Sequence, residues 1–420
     1  MKILSLFDGM ACGMLAMMAA NVEVERYVAY EIDKYAVQTS THNFPFIEHR
    51  GDVFKADFTE FSDFDYLVGG SPCTYWSIAQ KNNRETEASG MGWELFSQYV
   101  RALWEAHPKF FIYENNKSMS NTIRESITKT FGFEPVCINS ALVSAQNRQR
   151  LYWVGKRNSR GGYDRVNVEQ PLDRGILLRD VLDNVPPNPL ASGKSRTVHA
   201  HYGRLESQKW YDRVFSDNPN KQQHDYVAEP VAINDDGEAY ALTATYYKGP
   251  LVENSLSRKQ RSMVGEPVRV GSLPRPNGEL STSQAFRVYD TAGKSVNLTA
   301  GEGAGGKTGL YAIPVEFDGE KPTKAVSAAD GKTYFVYEVA DGKITIKGKQ
   351  YPIKLIDGFY IIRKLTVSEC KRLQTVPEWF EFPVSDSQAY KMLGNGWTVE
   401  VIAHLIRSIR SAWLRDLLGA

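Results

Sequence analysis

Cysteine is scarce and scattered: 420 residues hold four, Cys12, Cys73, Cys137 and Cys370, with no Cys-x-x-Cys pair. Such spacing excludes a disulfide framework or a thiolate metal module, so no metal is expected and a reduced, cytoplasmic compartment fits. Long apolar runs are missing too. None approaches the roughly 18 residues of a membrane span, so no membrane partner is expected. The apolar stretch after Lys2, ending in Ala16 to Ala20, imitates a secretory signal, but Asp8 and two glycines interrupt it and no signal peptide is expected. A dominant charge sign is also absent. The net charge is +1, which does not announce a nucleic-acid binder, although it is unevenly spread: net −4 over residues 1–155, +3 over 156–360 and +2 over 361–420. A mildly basic second half is compatible with phosphate contacts. What remains, 42% hydrophobic and 24% charged residues, is ordinary for a globular chain long enough for two cores.

Three strand-like segments end in chemistry. Asp65-Tyr66-Leu67-Val68 runs into Gly69-Gly70-Ser71-Pro72-Cys73. Glycines permit a tight turn and close approach of a ligand, and Pro72 fixes the turn that presents the sulfur. Alone, Cys73 reads as a core residue more readily than as a nucleophile. Phe110-Phe111-Ile112-Tyr113 then ends in Glu114-Asn115-Asn116, polar side chains that a packed interior rejects unpaired. Leu151-Tyr152-Trp153-Val154 follows Ser144-Ala145-Gln146-Asn147-Arg148-Gln149-Arg150. Alone, Glu114 could cap a helix and the arginines could form a surface ion pair. A cysteine, a glutamate and two arginines at the strand edges of one α/β layer are hard to explain as structure.

Together with Phe7-Asp8-Gly9-Met10-Ala11-Cys12-Gly13, the stretch Leu365-Thr366 through Arg372-Leu373-Gln374, and Tyr390-Lys391-Met392-Leu393-Gly394-Asn395, these motifs make the chain resemble the DNA (cytosine-5) methyltransferases of bacteria and phages. The resemblance covers roughly the first 160 and last 60 residues, in the family's order. Two positions depart from it: Asn116 stands where an aliphatic residue is usual, and Thr74 where glutamine is usual. The opening Ser5-Leu6-Phe7-Asp8-Gly9 is shared with the animal de novo branch.

The segments 2–7, 26–31, 65–69, 109–113 and 151–155 read as buried strands. Between them, Trp93 to Ala106 places Phe96, Tyr99, Val100, Leu103 and Trp104 at helical spacing, which predicts that these side chains are core. Alternating strands and helices predict a doubly wound, mostly parallel sheet. From about residue 185 prolines, glycines and polar residues take over, and apolar patterning returns near 355. The expected organisation is a catalytic segment 1–184, an inserted, mainly β target-recognition domain 185–354, and a segment 355–420 that completes the catalytic domain with a helix from Thr398 to Trp413. The insertion repeats one texture at Gly193-Lys194-Ser195-Arg196-Thr197, Gly237 to Ala244 and Gly293 to Ala300, readable as strands entered through glycine turns or as chance likeness. Gly301-Glu302-Gly303-Ala304-Gly305-Gly306-Lys307-Thr308 satisfies the phosphate-loop pattern, but a strand-like run with Pro314 follows where that motif needs a helix.

The resemblance implies methyl transfer from S-adenosyl-L-methionine to C5 of cytosine in a short sequence of double-stranded DNA, by a monomer in the bacterial host's cytoplasm, with the base flipped out of the duplex. It implies Cys73 as the nucleophile at C6, Glu114 at N3, Arg150 at O2, and Arg148 fixing the loop or a phosphate. For the cofactor it implies Phe7, Asp8, Gly9 and Gly13, then Glu31 at the ribose, Ile32, Asp52 at the adenine amino group, Pro72, and Asn395 near the methionine end. Thr74 to Gly92, polar and bracketed by glycines, suits a mobile lid over Cys73. RNA cytosine methylation, a catalytically silent DNA-binding module and a phosphate-loop ATPase stand as the other readings.

Overall fold

The structure, a computed structural model, describes residues 1–77, 84–183, 267–281, 283–298, 309–315, 323–327 and 329–418. The chain divides into two compact units: Met1–Leu172 with Asn297–Lys307 and Val367–Ala420, and Asp173–Val296 with Thr308–Thr366. The composition shifts near 185 and 355 both fall inside the second unit.

The first unit is built on one sheet. Its strands are β1 (Lys2–Leu6), β2 (Arg26–Tyr30), β3 (Glu48–His49), β4 (Tyr66–Gly69), β5 (Phe110–Asn116), β6 (Val136–Asn139), β7 (Gln149–Arg157) and β8 (Tyr163–Arg165). They lie in the order β3-β2-β1-β4-β5-β7-β6, with β8 on β7. From β3 to β5 every pairing is parallel, and the pairs made by β7 are antiparallel. Parallel strands covered on both faces must be apolar throughout, and Ile3, Leu4, Leu6, Tyr27, Val28, Leu67, Val68, Phe111 and Ile112 are indeed almost without exposure. The order reverses direction between β1 and β4. At such a switch point the chain leaves neighbouring strands toward opposite faces and opens a crevice at their carboxyl ends.

Helices α1 (Cys12–Ala19), α2 (Lys34–Asn43), α3 (Gly90–Ala106) and α4 (Asn121–Phe131) connect these strands, and α5 (Val367–Leu373), α6 (Asp386–Asn395) and α7 (Val399–Leu418) return from the far end of the sequence. Helix α7 packs on α1. Val399, Val401, Ile402, Leu405, Ile406 and Ile409 are fully buried, while Arg407 and Arg410 reach the carbonyls of Ala19, Ala20 and Asn21, where a helix end leaves acceptors unpaired. On α3, Phe96, Tyr99 and Leu103 are core, but Val100 is only partly buried and Trp104 is half exposed. The buried face runs Gly92, Phe96, Tyr99, Leu103, Ala106, and position 104 falls off it by one helical step, leaving Trp104 edge-on to His107 and Tyr163.

Within its described residues, the second unit is a separate sheet of β9 (Arg269–Ser272), β10 (Arg287–Asp290), β11 (Leu310–Pro314), β12 (Lys324–Val326), β13 (Thr333–Ala340), β14 (Lys343–Ile346), β15 (Lys349–Pro352) and β16 (Gly358–Arg363). The order is β15-β14-β13-β16-β11-β10-β9, antiparallel except for β10 with β11. Its core holds Val270, Val288, Ala312, Val339, Ile344, Ile353 and Ile362. Of the three similar glycine-entered segments, those at Gly193 and Gly237 lie outside the described residues, and Gly293–Leu298 is a turn leading into irregular chain. Gly301 to Thr308 also lies outside them, and strand β11 begins two residues later.

Candidate active site

The loops leaving β1, β4 and β5 meet at the switch point, and backbone geometry there is under visible constraint. Phe7, Gly9 and Ala11 all have φ between 57° and 66°, left-handed values that cost a non-glycine residue about 1 kcal/mol or more. Their turn is tied down by contacts. Gly9 N–H donates to Glu31 Oε2 at 2.9 Å, and Glu31 Oε1 accepts from the amides of Ile32 and Asp33 at 2.8 Å. Asp8 Oδ1 accepts from Ser5 Oγ at 2.6 Å and Tyr27 OH at 2.7 Å, while its Oδ2 is buried without a partner. Burial pushes the Asp8 carboxyl up to about 6 despite those two hydrogen bonds. A Cβ on Gly13 would stand 2.5 Å from Tyr27 OH, so Gly13 serves this turn by letting Tyr27 reach Asp8. Glu31 and Asp52 follow the neighbouring parallel strands β2 and β3 at one end of the sheet. Asp52 Oδ1 accepts from Phe54 N–H, and the Ile32 side chain is 77% exposed beside Glu31.

The second loop carries the cysteine. Gly69 pairs with Leu6, and a Cβ there would come within 2.6 Å of the Leu6 carbonyl. At Gly70 a Cβ would stand 2.8 Å from both the carbonyl and Oε2 of Glu114. Only glycine lets this strand end lie against that carboxyl. Pro72, with φ −50°, opens the short turn Cys73–Tyr75 and leaves Cys73 partly exposed. Cys12 and Cys370 are buried, and burial pushes the Cys12 thiol up to about 12. Asn115 ties the loop to β5, donating to Ser71 O at 3.1 Å and Tyr113 OH at 3.2 Å. Beyond the cysteine, fully buried Trp76 donates from its indole to Glu85 Oε2 at 3.1 Å, and Glu85 also accepts from Gly92 N–H. The span Thr74 to Gly92 is thus anchored on both sides of residues 78–83, which lie outside the described residues.

Glu114 and Arg150 come together. Glu114 is 9% exposed, and its Oε1 forms an ion pair with Arg150 Nε at 3.0 Å. Its Oε2 accepts from Trp397 Nε1, also at 3.0 Å. The neighbouring Asn116 is buried yet satisfied, donating to Asn115 Oδ1 and accepting from Ser118 Oγ, so a polar residue is accommodated where an aliphatic one is expected. Thr74 is exposed.

Arg148 points elsewhere. Its guanidinium donates to Asn297 Oδ1 and to the carbonyls of Leu298, Gly394 and Gly396, at 2.8 to 3.2 Å. Burial foremost, then the charge of Arg150, lowers it to about 10, and the nearby Glu114 carboxylate opposes this. It stays charged at neutral pH. Its contacts are with chain segments 297–298 and 394–396. Asn395, between those two glycines, is exposed at the end of α6. Trp397 and Asn115 were not among the expected site residues; Trp397 follows Gly394-Asn395-Gly396 directly, and an indole donor has no signature of its own. Among the described residues no cluster of His, Cys, Asp or Glu could hold a metal ion, and no helix is long and apolar enough to cross a membrane.

Known proteins resemble this chain. The C-5 cytosine-specific DNA methylase family matches residues 1–411. The chain is 28% identical to the orphan methyltransferase M.SPRI of Bacillus phage SPR over 97% of each chain. It is 31% identical to the type II methyltransferase M1.ScrFI of Lactococcus lactis subsp. cremoris, over 65% of this chain and 69% of that one. Among solved structures, the methyltransferase EhMeth of Entamoeba histolytica covers 98% of each chain with a TM-score of 0.51 at 11% identity, a likeness of fold. The matched span takes in each loop that carries the cysteine, the glutamate and the arginines, and the chain belongs to the C-5 cytosine-specific DNA methylase family, an enzyme that methylates cytosine in DNA.

Proposed function

We propose that the enzyme moves the methyl group of S-adenosylmethionine to C5 of a cytosine in a specific short sequence of duplex DNA, through a covalent bond between Cys73 and C6. The observation that carries this reading is the Glu114 carboxyl, gripped by Arg150 and Trp397 and lying against Gly70 of the loop that presents Cys73. C5 of cytosine is too weak a nucleophile to take a methyl group unaided. Addition of the Cys73 thiolate to C6 makes C5 enamine-like. Glu114 gives a proton to N3 as negative charge develops on the ring, and Arg150 holds O2 with a guanidinium that stays charged. Arg148 acts behind them by fixing the 394–396 backbone. After transfer, C5 loses its proton to a base, N3 returns its proton to Glu114, the C6–S bond breaks, and Cys73 leaves as thiolate.

The turn from Phe7 to Gly13 fits a cationic ligand that carries a ribose. Nothing stands within 4 Å of where a Gly9 Cβ would be, so the turn is open on that side, and Asp8 Oδ2 is a buried acceptor without a hydrogen-bond partner in the protein. S-adenosylmethionine, when bound, supplies an electrophilic methyl group. Glu31 would hold its ribose diol, Asp52 the adenine amino group, Ile32 an apolar face and Asp8 its positive charge, with Phe7, Pro72 and Asn395 completing the surroundings. A stacked, paired cytosine cannot reach Cys73, so the base is flipped out and the anchored span Thr74 to Gly92 covers it. The insertion, residues 185–354, reads the sequence; the enzyme acts as a monomer in a bacterial cytoplasm.

Incubation with tritiated S-adenosylmethionine and either duplex DNA or tRNA tests this. Label is expected in the DNA, and bisulfite sequencing should find one short sequence protected. Label in tRNA alone would overturn the reading.

A further inference from the structure

We propose that Trp397 is a positioning residue for Glu114, its indole N–H holding Oε2 so that the carboxyl keeps one orientation toward the target base. The proposal rests on the assignment of Glu114 as the acid at N3. Both observed partners of the carboxyl lack acceptors: Arg150 is ion-paired through Nε, 3.0 Å from Oε1, and Trp397 Nε1 donates a hydrogen bond to Oε2, also at 3.0 Å. A proton on Glu114 therefore sits on a lone pair that neither occupies, and the pair of donors sets its direction. Trp397 does this without charge. A second cation there would oppose the protonated form that N3 requires, whereas a neutral donor holds the oxygen in place.

The segment that carries Trp397 is held far more firmly than packing of one indole needs. Arg148 takes the carbonyls of Gly394 and Gly396. Gln374 Nε2 donates to Leu393 O and Gly396 O, Thr398 Oγ1 donates to Gln374 Oε1, and Ser140 Oγ meets Thr398 Oγ1 at 2.8 Å. A Cβ on Gly396 would stand 3.1 Å from Cys12 Sγ, which seats the same segment against the turn after β1. Buried Arg148, Gln374 and Thr398 thus converge on a backbone whose side chain ends at Glu114.

The test is a double-mutant cycle on single-turnover methylation of duplex DNA, using Trp397→Phe, Glu114→Gln and both together. Trp397→Phe keeps a ring and loses the N–H. It should slow transfer roughly tenfold or more, the scale of one hydrogen bond to a charged group, with S-adenosylmethionine affinity changed far less. In the Glu114→Gln background the same substitution should slow transfer no further. Equal slowing in both backgrounds, no slowing, or a loss of cofactor affinity as large as the loss of rate would overturn the proposal. Should Glu114→Gln itself transfer at the wild-type rate, the assignment of Glu114 falls, and the proposal with it. A second measurement needs no Phe variant: the indole N–H proton resonance of Trp397 should move upfield in Glu114→Ala, and a resonance that stays in place contradicts the contact.

Discussion

Burial makes a negative charge on Asp8 unfavourable in the folded protein. Its carboxyl is raised to about 6 from an ordinary value near 3.8, so its protonated form belongs to the folded state. The stability it contributes is complete below about pH 4 and is lost as pH rises through 6, up to about 3 kcal/mol by pH 7. Chemical denaturation of the apo enzyme at pH 5 and pH 7 should therefore show a steeper loss for wild type than for Asp8→Asn. Cofactor affinity should run the other way, falling as pH drops through about 6 in wild type and staying flat in the variant. Gly70 gives a second test: in Gly70→Ala the new methyl meets the Glu114 backbone carbonyl, which cannot swing aside, and transfer should fall by roughly a hundredfold or more, as when a positioned acid is lost, with cofactor binding kept. Cys73, Glu114 and the arginines were legible as candidates because cysteines, carboxylates and guanidinia at strand ends demand a reason. The orphaned Asp8 oxygen and the Trp397 contact were not, since each depends on which atoms lie opposite across loops far apart in sequence.

Among the elements, the strands of the parallel layer could be read closely because a strand buried on both faces is an uninterrupted apolar run. Strand β1 stops at Leu6, one residue short of expectation, because Phe7 takes a left-handed turn. Strand β7 extends past expectation to Gln149 and Arg157, and its antiparallel direction had no signal, since side-chain pattern does not encode strand direction. Helix α3 begins at Gly90, and its aromatics divide by face, so Trp104→Ala should change stability by less than about 1 kcal/mol while Phe96→Ala, fully buried, should lose about 3 kcal/mol or more in urea unfolding. Arg148 joins elements from both ends of the chain. Arg148→Met should destabilise by about 3 kcal/mol or more, because several buried carbonyls lose their donor at once.

At the scale of the molecule, the first unit assembles from segments hundreds of residues apart: α7 packs on α1, and His404 meets the Glu169 carbonyl. On the proposed reading, chemistry and recognition are separable. Exchanging residues 185–354 for the corresponding part of a relative should change the DNA sequence methylated and leave cofactor affinity unchanged; bisulfite sequencing reads the first and calorimetry the second. The central claim, that Cys73 forms a covalent bond to the target base, is tested most directly with duplex DNA that carries 5-fluorocytosine at the methylated position. Fluorine cannot leave C5 as a proton does, so the adduct cannot resolve. A protein–DNA species stable on denaturing gels, with the cross-linked peptide centred on Cys73 and absent from Cys73→Ser, is predicted. An enzyme that methylates ordinary DNA and yields no such species, or that is trapped through another residue, would contradict the account.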